Sequence, residues 1–219
     1  MQETKSKKFL KILGYVFSAI FVMLCLVVIF FNVTHEYHVI SGPSMTPTLN
    51  NNETVDGVFI SKIKGYGRGD IVIVNKGEKD EFGNDILVIK RIIALAGDKI
   101  TIKEINGEYR VVLIYYGQSE QTVLEEPYID GYAQNEMLFN KFNTMITTKG
   151  YTLDDNGFFE IPEAEVFYLG DNRTISQDSS TYGTKKQSAI IGVVDYIIYG
   201  NAHPYWQVLQ QVFGGGVWK

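Results

Sequence analysis

A run of 20 residues near the N-terminus, positions 12–31, contains no Asp, Glu, Lys or Arg. As a helix it would be about 30 Å long, which matches the hydrocarbon core of a bilayer. Four lysines and one glutamate precede it within residues 1–11. Because positively charged flanks stay in the cytoplasm, the sequence predicts a cytoplasmic basic arm over residues 1–11 and a single-pass membrane anchor over residues 12–31. Residues 32–219 would then lie outside the cell membrane.

A cleavable secretion signal is the alternative interpretation of this run. The apolar region of such a signal is usually about 7–15 residues long, which is shorter than the run seen here. A cleavage site also needs two small residues separated by one other residue, and residues 30–34 contain no such pair. We therefore favour an anchor that is retained.

The composition argues against several classes of protein. The chain has 20 Lys and Arg against 25 Asp and Glu, whereas nucleic-acid-binding proteins usually carry a basic excess. The single cysteine, Cys25, lies inside the apolar run, so an internal disulfide framework and a multi-cysteine metal site are both excluded. The three histidines form no recognisable ligand motif. We expect no metal, no cofactor and no nucleic-acid partner.

The remainder of the chain has the pattern of an antiparallel β protein. Runs rich in β-branched and aromatic residues alternate with turns rich in Gly, Asn and Asp. Asn106-Gly107 predicts a type I′ hairpin, since both central residues of that turn need positive φ. Residues 104–160 look like a variable insertion that carries a short helix over 133–146. The fold class is therefore mainly β, with a coiled or barrel-like domain after the anchor. The predicted strands are 55–63, 71–75, 86–94, 99–105, 109–114, 166–169 and 189–199.

A candidate nucleophile, Ser44, follows the apolar run. Pro43 and Pro47 on either side stiffen its loop, and Gly42 permits another backbone to approach closely. A serine held in this way can present its hydroxyl to a carbonyl carbon and its backbone N–H to the resulting oxyanion. Taken alone, the segment is better explained as an ordinary linker between the anchor and the domain.

A candidate base, Lys90, lies within a strand whose two faces are both apolar. The two-residue period places Lys90 on one face with Val88 and Ile92, and Arg91 on the other. Burial disfavours the charged form of lysine and lowers its pKa, so a neutral amine near Ser44 would be a competent general base. The alternative is that Lys90 lies near the strand end and reaches water along its aliphatic stem.

The order of several segments resembles that of bacterial type I signal peptidases, which are membrane-anchored Ser/Lys endopeptidases. The resemblance covers nearly the whole chain. The family has a β-rich fold that is related to that of the self-cleaving repressors of the SOS response. Glu126-Pro127-Tyr128 also looks like an element of this family. The matching segments are the N-terminal span and residues 41–49, 69–72, 89–98 and 169–180.

The resemblance implies a role for each site residue. Ser44 would be the nucleophile, Lys90 the general base, and Ser176 a serine that hydrogen-bonds and orients the lysine. Buttressing residues would be Asp171, Asn172, Arg173 and Asp178, and apolar substrate pockets would be lined by Ile40, Met45, Val88 and Ile89.

Two positions depart from the family pattern. In the family, an arginine two positions after the aspartate at position 178 pairs with that aspartate, whereas this chain has Ser180 there. Either another cation would then pair with Asp178, namely Arg173, Lys185 or Lys186, or the buttress would be looser. Position 42 is glycine, so the side-chain oxyanion donor of some members is missing. The oxyanion would then depend on the Ser44 N–H, with water or the Ser41 hydroxyl.

The implied function is removal of signal peptides from exported preproteins after small-x-small sites, at the outer face of the cell membrane. The expected partners are preprotein signal peptides and the lipid bilayer. A self-cleaving repressor-like Ser/Lys protease and a non-enzymatic anchored β-domain are the alternatives.

Aromatic residues near the C-terminus would either touch the membrane interface or pack in the core: Tyr199, Tyr205, Trp206, Phe213 and Trp218.

Overall fold

The structure, a computed structural model, describes residues 5–51 and 55–200. The chain divides into an N-terminal helical unit that ends at Glu36 and a β-rich unit that begins at Tyr37. The first unit contains one long helix, α1 (Lys5–Thr34). Its segment Lys7–Thr34 is long and apolar enough to cross a membrane, and the most apolar 18-residue stretch within it contains no buried residue. The helix therefore continues through the predicted span and takes in part of the basic arm.

Two antiparallel sheets form most of the second unit, which confirms the predicted fold class. The larger sheet has seven strands in the order β1-β2-β11-β3-β4-β9-β10, and the smaller has four in the order β7-β6-β5-β8. The strands are β1 (His35–Val39), β2 (Gly57–Ser61), β3 (Ile71–Lys79), β4 (Asp85–Leu95), β5 (Lys99–Ile105), β6 (Glu108–Ile114), β7 (Thr122–Val123), β8 (Phe159–Glu160), β9 (Glu165–Leu169), β10 (Lys185–Lys186) and β11 (Ile190–Ile198).

Strand β4 lies deep in the larger sheet and is the longest strand. On one side it pairs antiparallel with β3, where Lys90 lies opposite Val72. On its other side, β9 pairs only with the second half of β4, from Arg91 opposite Leu169 to Leu95 opposite Val166. Among the described strands, none pairs with residues 85–90 on that side. The first half of β4 therefore presents an open edge that ends at Lys90.

The smaller sheet and the helix α2 (Asn135–Lys149) are formed mainly by the predicted insertion. The hairpin between β5 and β6 turns at Asn106 and Gly107, with φ of 55° and 86°, as the sequence predicted. Helix α2 starts two residues later than expected and ends at Gly150, whose left-handed conformation satisfies the last carbonyls. A short helix, α3 (Ser179–Tyr182), lies near it in the fold.

Three apolar clusters fill the interior and meet at β4. Ile89 packs in one cluster, Ile92 in a second and Ile93 in a third. The third cluster also contains Leu138 and Phe142 of α2, so the helix packs against the second half of β4, beyond Lys90. The prediction that β4 has two apolar faces is therefore confirmed.

The elements that were not predicted are short or polar. Strand β1 is the polar segment His35–Val39, and β7, β8 and β10 have two residues each. Strand β3 continues past Asn75 to Lys79 along an irregular hairpin with β4. Such strands lack a hydrophobic period and form because a neighbouring strand offers hydrogen bonds.

Of the C-terminal aromatic residues, Tyr199 is 55% exposed, and Tyr205, Trp206, Phe213 and Trp218 lie outside the described residues.

Candidate active site

The side chains of Ser44 and Lys90 meet. The Nζ atom of Lys90 lies 2.8 Å from Ser44 Oγ and donates to the carbonyl oxygen of Ile89 at 2.8 Å. Lys90 is 3% exposed, so its amine does not reach water along the stem. Ser44 is partly exposed. A buried amine thus lies within hydrogen-bond distance of a hydroxyl that a substrate can reach.

The surroundings of Lys90 favour its neutral form. Burial is the main influence and lowers the pKa of Lys90, while the carboxylates of Asp178 and Asp171 partly oppose this shift. A neutral amine has two N–H donors and one lone pair. It can therefore donate to Ile89 and accept the hydroxyl proton of Ser44 at the same time.

The loop of Ser44 is held through its backbone by the segment after β9. The Asn172 N–H donates to the carbonyl oxygen of Ser44 at 3.1 Å, and the Asn172 side chain donates to Thr46 Oγ1 at 2.9 Å. A Cβ at Gly170 would clash with the Ser44 carbonyl oxygen and with Ser176 Oγ, so only glycine allows this approach. Asn172 therefore lies beside Ser44, as its expected buttressing role requires.

Ser176 does not make the hydrogen bond expected of it. The residue is 1% exposed, and its Oγ finds no hydrogen-bond partner among the described residues. It lies next to Gly170 and the Ser44 loop, while Lys90 directs its amine to Ser44 and Ile89. The expected contact between Ser176 and Lys90 is therefore absent from this arrangement, although Ser176 lies beside the site.

Asp171 is fully buried and pairs with Arg91, the residue after Lys90. The two guanidinium contacts are 2.9 and 2.6 Å, and Thr48 Oγ1 donates to the same carboxylate at 2.5 Å. The guanidinium also lies 3.9 Å from the ring centre of Tyr128. A charge-assisted fork of this kind fixes direction as well as distance. It ties β4, the Ser44 loop and the segment after β9 together.

Asp178 has no basic hydrogen-bond partner in the described part of the chain, contrary to the expectation that Arg173, Lys185 or Lys186 would provide one. Its Oδ1 accepts from the backbone N–H of Ser180 at 3.0 Å and from the Ser180 hydroxyl at 2.7 Å. Its Oδ2 accepts from the Gly170 N–H at 2.9 Å. Ser180 itself therefore satisfies the carboxylate, and Asp178 caps the first turn of α3.

Arg173 is buried, and its guanidinium contacts residues other than Ser44 and Lys90. Its guanidinium pairs with Glu126 at 2.5 Å, and neither side chain is exposed to solvent. It also donates to the Gly170 carbonyl at 3.0 Å and to Asn135 Oδ1 at 3.3 Å. Burial alone would lower the pKa of Arg173, but the carboxylate of Glu126 reverses this effect and raises it. Sequence reasoning assigned Arg173 to the site without finding this partner.

The four predicted pocket residues do not share one surface. Ile40, Met45 and Ile89 belong to one buried cluster, whereas Val88 is partly buried and packs against another. The difference follows from the pleat of β4, which turns consecutive residues to opposite faces. All four nevertheless lie within four positions of Ser44 or Lys90 in the chain.

Among the residues that the structure describes, no metal-binding cluster accompanies the dyad. Within the described ranges, no group of three or more His, Cys, Asp or Glu side chains is placed to hold a metal ion. The buried carboxylates near the site instead accept hydrogen bonds from the protein. Asp171 pairs with Arg91, Asp178 with Ser180, and Glu126 with Arg173.

Comparison with known proteins identifies the family. Residues 13–199 match the sequence model of the family described as signal peptidase, peptidase S26. The chain is 31% identical over 190 residues to signal peptidase I S of Bacillus subtilis (strain 168), which covers 83% of this chain and 86% of that protein. It is 27% identical over 163 residues to signal peptidase IB of Staphylococcus aureus (strain N315), with 73% and 75% covered.

A solved structure is also similar. The crystal structure of a signal peptidase I from Enterococcus faecalis V583 is 24% identical and covers 61% of this chain and 99% of that one, with a TM-score of 0.37. The sequence matches are the basis of the assignment, because they extend over most of the chain and of its relatives. The chain therefore belongs to the signal peptidase family, peptidase S26, and it is a peptidase rather than a non-enzymatic β-domain.

Proposed function

We propose that this peptidase removes signal peptides from exported preproteins after small-x-small sites, with Ser44 as the nucleophile and Lys90 as the general base. The observation that carries the proposal is the 2.8 Å contact between Lys90 Nζ and Ser44 Oγ at a buried amine. Family membership supports the general activity, and the geometry of these two side chains supports their roles.

The reaction would be acyl transfer in two steps. Ser44 Oγ attacks the scissile carbonyl carbon while Lys90 Nζ takes the hydroxyl proton. The C–N bond then breaks, and Lys90 gives that proton to the leaving amine, which leaves an acyl-enzyme on Ser44. Water next attacks the ester, again losing its proton to Lys90, and the proton returns to Ser44 Oγ as the carboxylic product departs.

The developing oxyanion would be stabilised mainly by the Ser44 backbone N–H. Asn172 already holds the Ser44 carbonyl, which fixes the orientation of the peptide unit that follows the nucleophile. Gly42 has φ of 86°, a conformation that L side chains rarely adopt, so glycine suits this loop. Water or the exposed Ser41 would supply any second donor.

A substrate would bind as an added strand along the open edge of β4, residues 85–90. Main-chain hydrogen bonds would set its register and lead the scissile bond toward Lys90 and Ser44. Side chains two residues apart then face the same way. Ile40, Met45 and Ile89 would bound the pocket on one side, and Val88 would contact the substrate from the face that carries Lys90.

The N-terminal helix would act as a membrane anchor, with residues 1–11 in the cytoplasm and the β-rich unit outside. Its exposed apolar surface supports the anchoring, and the four lysines at its start support this orientation. The hydrophobic part of a signal peptide occupies the same bilayer. Anchoring both molecules there would raise the effective concentration of substrate at the site.

The substrate assignment predicts a simple pattern of cleavage. The full chain in detergent should cut a preprotein that has alanine one and three residues before the scissile bond, at positions −1 and −3. Replacing the alanine at −1 with leucine should lower the cleavage rate by about 10²-fold or more, because the pocket is shallow. The matched control is a leucine introduced at −2, whose side chain points to the opposite face and should have little effect. The rate is read from the appearance of the mature protein on a gel. Equal tolerance of leucine at −1 and −2 would contradict the proposed pocket.

The assignment of Lys90 as base predicts the pH dependence. The charged amine is inactive, so kcat/KM should rise with pH as Lys90 loses its proton. Because burial lowers the pKa of Lys90, the midpoint of the rise should lie below the value near 10.4 of an ordinary lysine. The measurement is the initial cleavage rate in a series of buffers, with circular dichroism at each pH to verify folding. A flat profile between about pH 6 and 10 would rule out Lys90 as base.

A further inference from the structure

Lys141 of α2 binds the turn that follows Asn172. Its ammonium donates to the backbone carbonyl oxygens of Arg173 at 3.1 Å, Thr174 at 3.0 Å and Ser176 at 3.1 Å. A lysine ammonium has three N–H donors, and all three are used here. Three carbonyls from one short turn thus converge on a single charged group that belongs to another element.

The start of α2 reinforces this attachment. The Arg173 N–H donates to Gln134 Oε1 at 3.2 Å, and the Arg173 guanidinium donates to Asn135 Oδ1 at 3.3 Å. Lys141 borders the face of α2 that buries Leu138 and Phe142, so its side chain extends from a part of the helix that is packed against the core. The helix is therefore a fixed base from which the turn can be held.

The same turn holds the nucleophile. Asn172 donates its N–H to the Ser44 carbonyl oxygen, and Ser176 donates its own N–H to the Asn172 carbonyl at 3.0 Å. Ser176 and the Ser44 backbone both press against Gly170. A displacement of the turn would therefore move the Ser44 loop relative to Lys90, which is fixed in β4.

We propose that Lys141 is a positioning residue for the peptidase reaction, which holds the turn of residues 172–176 and through it the alignment of Ser44 with Lys90. The inference rests on the proposed roles of Ser44 and Lys90. Lys141 acts through the turn and would not touch the substrate. A misplacement of reacting groups by about 1 Å can cost about 10²-fold in rate, so loss of this anchor should be measurable.

The test compares Lys141→Gln with Lys149→Gln in the full chain, using the preprotein with alanine at −3 and −1. Lys149 lies on the same helix and is exposed, so its variant controls for the loss of one charge. Glutamine is shorter than lysine, has two N–H donors and carries no charge. We expect kcat to fall about tenfold in Lys141→Gln with KM changed less than about twofold, and no change in Lys149→Gln. Lys141→Arg, which keeps a charged donor, should recover most of kcat.

Three results would overturn the inference: an unchanged kcat in Lys141→Gln, an equal loss in the Gln and Arg variants, or a loss that merely follows a lower melting temperature and disappears on cooling. A Ser44→Ala variant is measured in parallel. If Ser44→Ala stays active, the proposed function fails; if Ser44→Ala is inactive and Lys141→Gln behaves like the wild type, only the role of Lys141 fails.

Discussion

Replacing Lys90 with methionine is expected to lower kcat/KM for preprotein cleavage by about 10³-fold or more, the upper range for loss of a general base. Methionine has nearly the length of the lysine stem and fits a site that is 3% exposed, but it cannot accept a proton from Ser44. The Ser44 hydroxyl would then have no base within reach. Initial rates of the full chain in detergent give the measurement.

The stability of this variant should move in the opposite direction from its activity. Burial lowers the pKa of Lys90, so in the pH range between its folded and unfolded pKa the unfolded chain binds a proton that the folded chain lacks. Stability therefore rises with pH in that range, and Lys90 disfavours folding below it. Lys90→Met removes this cost, so its melting temperature at neutral pH should equal or exceed that of the wild type.

The exposed Lys149 provides the control, since Lys149→Met changes the same residue type without touching the site. It should keep full activity. Reaction of Ser44 with a serine-acylating penem gives a second readout, because labelling needs the activated hydroxyl but no bound preprotein. Labelling of Lys90→Met at the wild-type rate would mean that another group activates Ser44.

The dyad could be predicted because its signals are local. A lysine in a strand with apolar residues on both faces is a candidate for burial, and the two-residue period of β4 indicates Lys90, although a position near the strand end is the alternative that the pattern leaves open. The segment around Ser44 is less specific, since a loop of Pro, Gly and Thr suits many roles. The order of the segments, which resembles a known family, is what pairs Ser44 with Lys90, and their side chains lie 2.8 Å apart.

The supporting contacts could not be predicted because they join residues with no shared pattern. Lys141 binds carbonyl oxygens 32, 33 and 35 positions away, and a carbonyl leaves no trace in the sequence. Arg173 and Glu126 are 47 positions apart. Asp178 shows the converse, because the resemblance predicts either a distant cation or a looser buttress, whereas a local N–H and the Ser180 hydroxyl are sufficient.

Loss of the buried ion pair should have the largest effect on stability. In Glu126→Gln the side chain keeps its size but no longer carries the charge that compensates Arg173, and both side chains are fully buried. Removing one partner of a buried pair typically costs about 3–5 kcal/mol, since the remaining charge stays out of water. The free energy of unfolding, measured with urea in detergent, should fall by about 3 kcal/mol or more.

The adjacent residue supplies a matched control. Glu125 pairs with Arg110 at 3.2 Å but its side chain is 80% exposed, so Glu125→Gln should cost less than about 1 kcal/mol. The double variant Glu126→Gln/Arg173→Met should be more stable than Glu126→Gln, because no unpaired charge remains buried. It should also have low activity, since Arg173 belongs to the segment that holds Ser44. If the two variants Glu125→Gln and Glu126→Gln lost equal free energy of unfolding, burial of the ion pair would not govern its strength. The turn of residues 172–176 would then depend on Lys141 and Asn135 for its position.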